Sequence, residues 1–231
     1  MRRISVGLIL LLMCAPSLYA QRRIPGVRTP EPSTWFTAGV GLFTGNEVND
    51  GVTESTWDFG NSTNFQYRGS LERSIGNQSS FGIVGTYVRV PFSYTSSPLA
   101  PPPGTATCPT SCDARLDMMA LSALYHIGGG RGFHQVLEGT AGMVWYRNLT
   151  RESDGAALPP TGGNLDPILS IGYGFGYGLS ANTHINLVQD LGIALHEKKG
   201  LANGVSNTNS VRTLRFSARF GFGSRVRTRS F

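Results

Sequence analysis

The chain has 231 residues, a formal net charge of +6, 15% charged residues and 30 glycines. Soluble domains carry roughly 25% charged residues and roughly 7% glycine, so this balance argues against disorder and against a helical protein, in which each interior glycine costs about 1 kcal/mol. Aromatics at 10% alongside this much glycine point to sheet.

Met1, Arg2 and Arg3 precede an apolar run over 4–15, Pro16 breaks it, and Ala20 stands before Gln21. A basic start, a short apolar centre and a small-residue exit predict a secretory signal peptide over residues 1–20. The run of 12 residues would rise only about 18 Å as helix, short of a hydrocarbon core of about 30 Å. Met13 before Cys14 is bulky where a lipidated cysteine needs a small neighbour. Residues 21–33, with three prolines, predict an extended periplasmic lead-in. Removing the signal leaves Cys108 and Cys112, an even pair suited to an oxidising compartment.

From residue 34 onward the dominant pattern is alternation with a period of two. Residues 34–45 place Phe36, Ala38, Val40 and Leu42 on one face. Phe65, Tyr67, Gly69 and Leu71 oppose Gln66, Arg68, Ser70 and Glu72. Residues 81–92 are apolar on both faces, which leaves their phase open, and 116–127 has a helix-like composition with strand-like alternation of Met119, Leu121, Ala123 and Tyr125. Leu137, Gly139, Ala141, Met143 and Trp145 oppose Glu138, Thr140, Gly142 and Tyr146. Leu169, Ile171, Tyr173, Phe175, Tyr177 and Leu179 alternate with Gly172, Gly174, Gly176 and Gly178. Ile185, Leu187, Leu191, Ile193 and Leu195 oppose His184, Asn186, Asp190 and Gly192, with Gln189 as the exception. Finally Leu214, Phe216, Ala218, Phe220 and Phe222 oppose Thr213, Arg215, Ser217, Arg219 and Gly221.

The connections alternate strictly. Long polar segments near 46–60, 93–113, 147–164 and 197–209 follow the odd strands, and short ones near 74–79, 128–134 and 180–182 follow the even strands. A sandwich has no reason to do this, whereas a membrane barrel has short periplasmic turns and long external loops. The expected fold is an all-β, eight-stranded antiparallel up-and-down transmembrane β-barrel over 34–223, followed by a basic tail at 224–231. Broad apolar faces would meet lipid, and the glycine-rich faces would suit a narrow interior. A closed barrel also leaves no unpaired edge in hydrocarbon.

The signal peptide, the Gly-aromatic run GYGFGYGLS (172–180) and the terminal strand TLRFSARFGFG (213–223) resemble the small eight-stranded outer-membrane barrels of Gram-negative bacteria, the group of the OmpA transmembrane domain and the opacity-type adhesins. The resemblance implies residence in the outer membrane among its lipids and lipopolysaccharide. It also implies a terminal aromatic read by the barrel-assembly machinery, with Phe222 and Phe231 as the two candidates.

Chemistry-bearing residues are few. Arg68, Arg215 and Arg219 would face Glu72, Glu138 and Asp190 inside the barrel, as a salt-bridge plug or, in the rival reading, as a narrow solute conduit. Cys108 and Cys112, in CPTSC after three prolines, read as a small loop-closing disulfide rather than a zinc site, which needs four ligands. His126 and Ser122 share an inner face with Glu138 on the next strand, a Ser-His-acid constellation set in the wrong place for a lipid-modifying enzyme. Neither GVGLFTG (39–45) nor GGGRG (128–132) completes a nucleotide-binding loop. The basic tail (Arg225, Arg227, Arg229) reads as a solvated terminus, not a nucleic-acid patch. The expectation is a monomeric, non-enzymatic barrel with no cofactor, no metal and no catalytic residues. Its four long loops would contact an extracellular ligand that the sequence does not name.

Overall fold

The computed structural model describes residues 31–60, 62–76, 78–97, 103–161, 164–203 and 205–224. The expected signal peptide, most of the lead-in, Phe231 and the basic tail from Arg225 lie outside the described residues.

Among the described residues ten strands run in chain order: β1 (Thr34–Gly45), β2 (Val48–Asp50), β3 (Ser55–Asp58), β4 (Asn64–Gly76), β5 (Ser79–Thr95), β6 (Cys112–Ile127), β7 (Gly132–Arg151), β8 (Asn164–Gly178), β9 (Thr183–Leu195) and β10 (Thr208–Phe222). Eight of them form the wall. Each pairs antiparallel with its sequence neighbour, β10 returns to β1, and β5 pairs with both β4 and β6, so the ladder closes. No backbone edge of the wall is left open, as hydrocarbon requires. The remaining two, β2 and β3, form a small hairpin over the loop end, and β3 adds to β5 through Thr56–Thr95 and Asp58–Ser93.

The pleat sorts the side chains by chemistry. Phe65, Tyr67, Leu71, Leu187, Leu191, Leu214, Phe216 and Phe222 are exposed on the outer wall, while Ser70, Glu72, Asp190, Thr213, Arg215 and Arg219 are buried inside. This is the inverse of a soluble barrel, with the apolar face outward and the charges enclosed. The lumen is correspondingly tight: a methyl group added at Gly39 would sit 2.7 Å from the Ser217 Cβ. Glycine is what allows β1 and β10 to face inward at that level.

Two stretches that the pattern left ambiguous are resolved by height in the barrel. Residues 112–127 are strand throughout, and residues 79–95 point their even members inward. Both faces of 81–92 are apolar because the interior itself changes character. Toward the loop end Val88, Val90, Phe92 and Tyr94 meet Phe43, Val48, Trp57, Phe59, Leu116, Met118, Val144, Tyr146 and Leu158 in one buried cluster. Strands β5 and β7 therefore run further than the loop lengths suggest. The connections between long strands shrink to 96–111 and 152–163, because an apolar filling above the wall rewards continued pairing.

Trp57 is the centre of this filling. It is fully buried, its Nε1 donates to Ser55 Oγ at 2.8 Å, and its ring meets those of Phe92, Tyr146 and His196. Trp57→Ala should lower stability by about 3–5 kcal/mol, read as a shift of the urea midpoint of the detergent-folded barrel.

Candidate functional site

The lumen holds a charged layer toward the short-turn end. Glu138, on β7, accepts from Arg68 Nη2 on β4 and from Arg215 Nη2 on β10, both at 2.7 Å. Its second oxygen accepts from His126 Nδ1 at 3.0 Å. Arg215 also donates through Nε to Asp190 Oδ2 at 3.0 Å and through Nη1 to Ser217. One turn of the wall below, Arg219 Nη2 donates to Glu72 Oε2 at 2.7 Å and its guanidinium lies 4.2 Å over the Trp35 ring. Thr37, Ser70 and Ser80 donate to the same Glu72 carboxylate. All six charged residues singled out from the sequence thus sit inside, in two groups centred on Glu138 and Glu72.

The arrangement is a filled cross-section. Arg68 and Arg215, on the two strands that flank β1, both reach across the lumen to Glu138 on the opposite wall, and Arg215 itself has no exposed surface. Between this layer and the apolar filling above it remains a cavity of about 60 Å³, lined by Arg68, Asp190, Val88, Met118 and their neighbours. Both nitrogens of His126 face acceptors, Glu138 Oε1 and the Gly128 carbonyl, so neither is left to serve Ser122 as a base.

A second polar cluster, which the alternation gave no sign of, lies under the β2–β3 hairpin. Asp50 accepts from Asn164 Nδ2 at 2.7 Å and from Thr53 through N at 3.0 Å and Oγ1 at 2.6 Å. His196, buried among Trp57 and Tyr146, has its Nδ1 3.2 Å from Asp166 Oδ2 and 3.9 Å from Asp50 Oδ1. Burial raises the Asp50 pKa, but the His196 side chain and the Thr53 hydrogen bonds together outweigh it and hold the carboxyl below its usual 3.8. These residues come from four separate stretches, so only the folded barrel assembles them.

At the loop end the connections hold one another. Ala106 N donates to the Ala157 carbonyl and Arg151 Nη1 to the Thr107 carbonyl, which joins segment 96–111 to segment 152–163. Gly51 N donates to the Glu197 carbonyl and Asn49 N to the Ser206 carbonyl, which joins the hairpin to segment 196–207. Cys108 and Cys112 form a disulfide, and Cys108 N donates to Ser96 Oγ. Phe222 closes β10 on the outer wall at the opposite end, 57% exposed.

No family model matches the chain, and no curated protein matches it. Solved structures do. Neisserial surface protein A is 14% identical with a TM-score of 0.49, over 82% of this chain and 97% of that one. Ail, the attachment invasion locus protein of Yersinia pestis, is 12% identical with a TM-score of 0.45, over 83% and 99%. The outer membrane protein OprG of Pseudomonas aeruginosa is 11% identical with a TM-score of 0.40, over 85% and 97%. The fold itself stands on the closed eight-strand ladder.

Two outcomes follow from the polar clusters. A buried ionic network of this kind stabilises little against an apolar filling of equal volume, yet breaking it strands the remaining charges. Glu138→Ala leaves Arg68 and Arg215 facing each other and should cost about 3–5 kcal/mol by urea unfolding, with Glu138→Gln milder because one acceptor oxygen remains. A depressed carboxyl pKa stabilises the fold above the unfolded value and loses that contribution as pH falls through it. Protection of residues 48–58 against hydrogen exchange, taken relative to the intrinsic rate at each pH, should therefore fall as pH drops below 3.8, and Asp50→Asn should show low protection already at neutral pH with a flatter pH response.

Proposed function

We propose that this protein is a bacterial outer-membrane barrel that works through its loop end, as a non-enzymatic scaffold for surface contact. The observation that carries the reading is the interlocked set of loops above a filled lumen. Backbone hydrogen bonds at 106–157 and 51–197, the arginine bridge from 151 to 107 and the disulfide hold an ordered surface before any partner arrives. Preorganisation of that kind reduces the ordering entropy that binding would otherwise cost. In the wall's frame the short turns face the periplasm, the loops face outward, and Phe222 is the candidate for recognition by the assembly machinery.

A solute channel is the second reading, favoured by the charges of the lumen. Against it stand the crossing of Arg68 and Arg215 onto Glu138 and the apolar filling above them, which close the section at two heights. Against an enzyme stand the engagement of both His126 nitrogens and the complete burial of His196.

The test is surface display of the full chain beside a variant in which residues 103–111 are replaced by a short Gly-Ser turn. Adherence to animal cells or matrix proteins should fall to background in the variant while both run faster unheated than boiled on detergent gels. Equal adherence, combined with stepwise conductance in planar bilayers that changes in Arg68→Gln, would favour the channel instead.

A further inference from the structure

Among the described residues the outer wall carries a hydrogen-bonded polar cluster that a lipid-facing surface does not need. On β6, Asp117 points outward, yet its side chain is only 6% exposed. It accepts from Arg89 Nε at 2.7 Å and Nη2 at 3.2 Å, from Tyr87 Oη at 2.9 Å and from Asn148 Nδ2 at 2.6 Å. Asn148 reaches it because β7 bulges there, with φ at 54° and the pairing slipped between Arg115 and Asp117. Bulges of this kind re-aim side chains. The carboxylate is thus fully used, and what it fixes in place is the Arg89 guanidinium, whose side chain remains 60% exposed.

Two further arginines flank it on the same outer face. Arg147 pairs across from Asp117 in the β6–β7 register, and Arg115 lies one pleat toward the loops. Arg147 makes no hydrogen bond or ion pair among the described residues, and Arg115 donates only through Nε, to Thr150 Oγ1 at 3.4 Å. Three arginines share this stretch of the outer face with one carboxylate, so the patch is cationic. The exposed acids nearby, Asp113 and Glu152, lie further toward the loops.

The height of the patch matters. Arg89 lies eight residues beyond Phe81 on β5, about 20 Å along the axis at a rise of about 3.3 Å and a tilt of about 40°. That is the top of an apolar band about 25 Å tall. Tyr67, Tyr87 and Trp145 stand there on the outer wall, as aromatics do at a membrane interface.

Directly below, the wall is recessed. Ala218, Ala38, Gly69 and Gly85 are register partners on four successive strands and all face outward. With Val40, Tyr67, Tyr87, Met119, Leu121, Trp145 and Phe216 as its sides they form an open groove of about 960 Å³ that ends at Arg147. A Cβ added at Gly69 would meet nothing nearer than the Thr37 carbonyl oxygen at 3.9 Å, so the recess is free space outside the wall.

We propose that this face binds one phosphorylated glycolipid of the outer leaflet, with Arg89, Arg115 and Arg147 on a headgroup phosphate and an acyl chain in the groove over Ala38, Gly69 and Gly85. Arginine suits the task because its planar fork donates two hydrogen bonds to a phosphate and sheds water readily. Continuity of the cationic patch with an apolar groove selects a lipid phosphate over a free one. The site rests on the orientation proposed above, with the loop end at the outer leaflet, and not on any loop partner.

The experiment is a titration of diphosphorylated lipid A into the full chain, purified from membranes in a neutral detergent and followed by native mass spectrometry. One lipid should bind per barrel. The double variant Arg89→Gln/Arg147→Gln should weaken binding at least about tenfold, the scale of losing a charge-assisted hydrogen bond. Gly69→Leu, which fills the recess, should weaken it as well, and dephosphorylated lipid A should bind the wild type no better than the double variant does. Both variants should keep the mobility shift between unheated and boiled samples, which separates loss of the site from loss of the barrel. Unchanged affinity in the variants or equal binding of the dephosphorylated lipid would overturn the proposal. So would displacement by inorganic phosphate at matching concentration, or a detergent-resistant dimer held together by this face.

Discussion

A strand wall in hydrocarbon must close on itself, because every unpaired amide at an open edge costs several kcal/mol. Closure with eight strands leaves an interior too narrow for a water column, so the inner face has to be filled by the protein's own side chains. Much of the molecule answers that constraint. Toward the short turns the filling is ionic, with Glu138 held by Arg68 and Arg215, and Glu72 by Arg219. Toward the loops it is apolar and centred on Trp57. The glycine faces of β1 and β8 are the spatial consequence of packing both fillings into one lumen.

The two fillings have different mechanical effects. Ionic contacts between β4, β7 and β10 tie strands that are not neighbours in the ladder, so they brace the section against flattening. The apolar filling instead anchors what lies above it. Trp57 and His196 carry the β2–β3 hairpin and the 196–207 segment down onto the wall, and Tyr94 Oη donates to the Pro159 carbonyl at 3.1 Å from below. Order in the loops is therefore inherited from the core.

Local pattern specifies some stretches of this chain and leaves others open. Period-two alternation in 213–222 is enough to send Arg215 and Arg219 inward and Phe216 and Phe220 outward, because a pleat admits only two directions. In 81–92 the same rule is silent, since apolar residues occur on both faces and only the loop-end filling says which face is inside. The β2–β3 hairpin reads as part of a polar loop, because its strands are only three and four residues long. Nothing in the residues beside Asp117 marks it as the anchor of an outward arginine.

What the sequence determined by itself was direction: which residues look at lipid, which look at the lumen, and where short turns alternate with long loops. These are local consequences of backbone geometry and hydropathy. What the tertiary structure alone decided was partnership. Glu138 meets Arg68 across 70 residues and Arg215 across 77, and Asp50 meets Asn164 across 114. The grouping of Arg89, Arg115 and Arg147 likewise depends on the register of three strands and a bulge at Asn148. Such pairings are set by closure and shear of the barrel, quantities that belong to all eight strands together and are written in no single one of them.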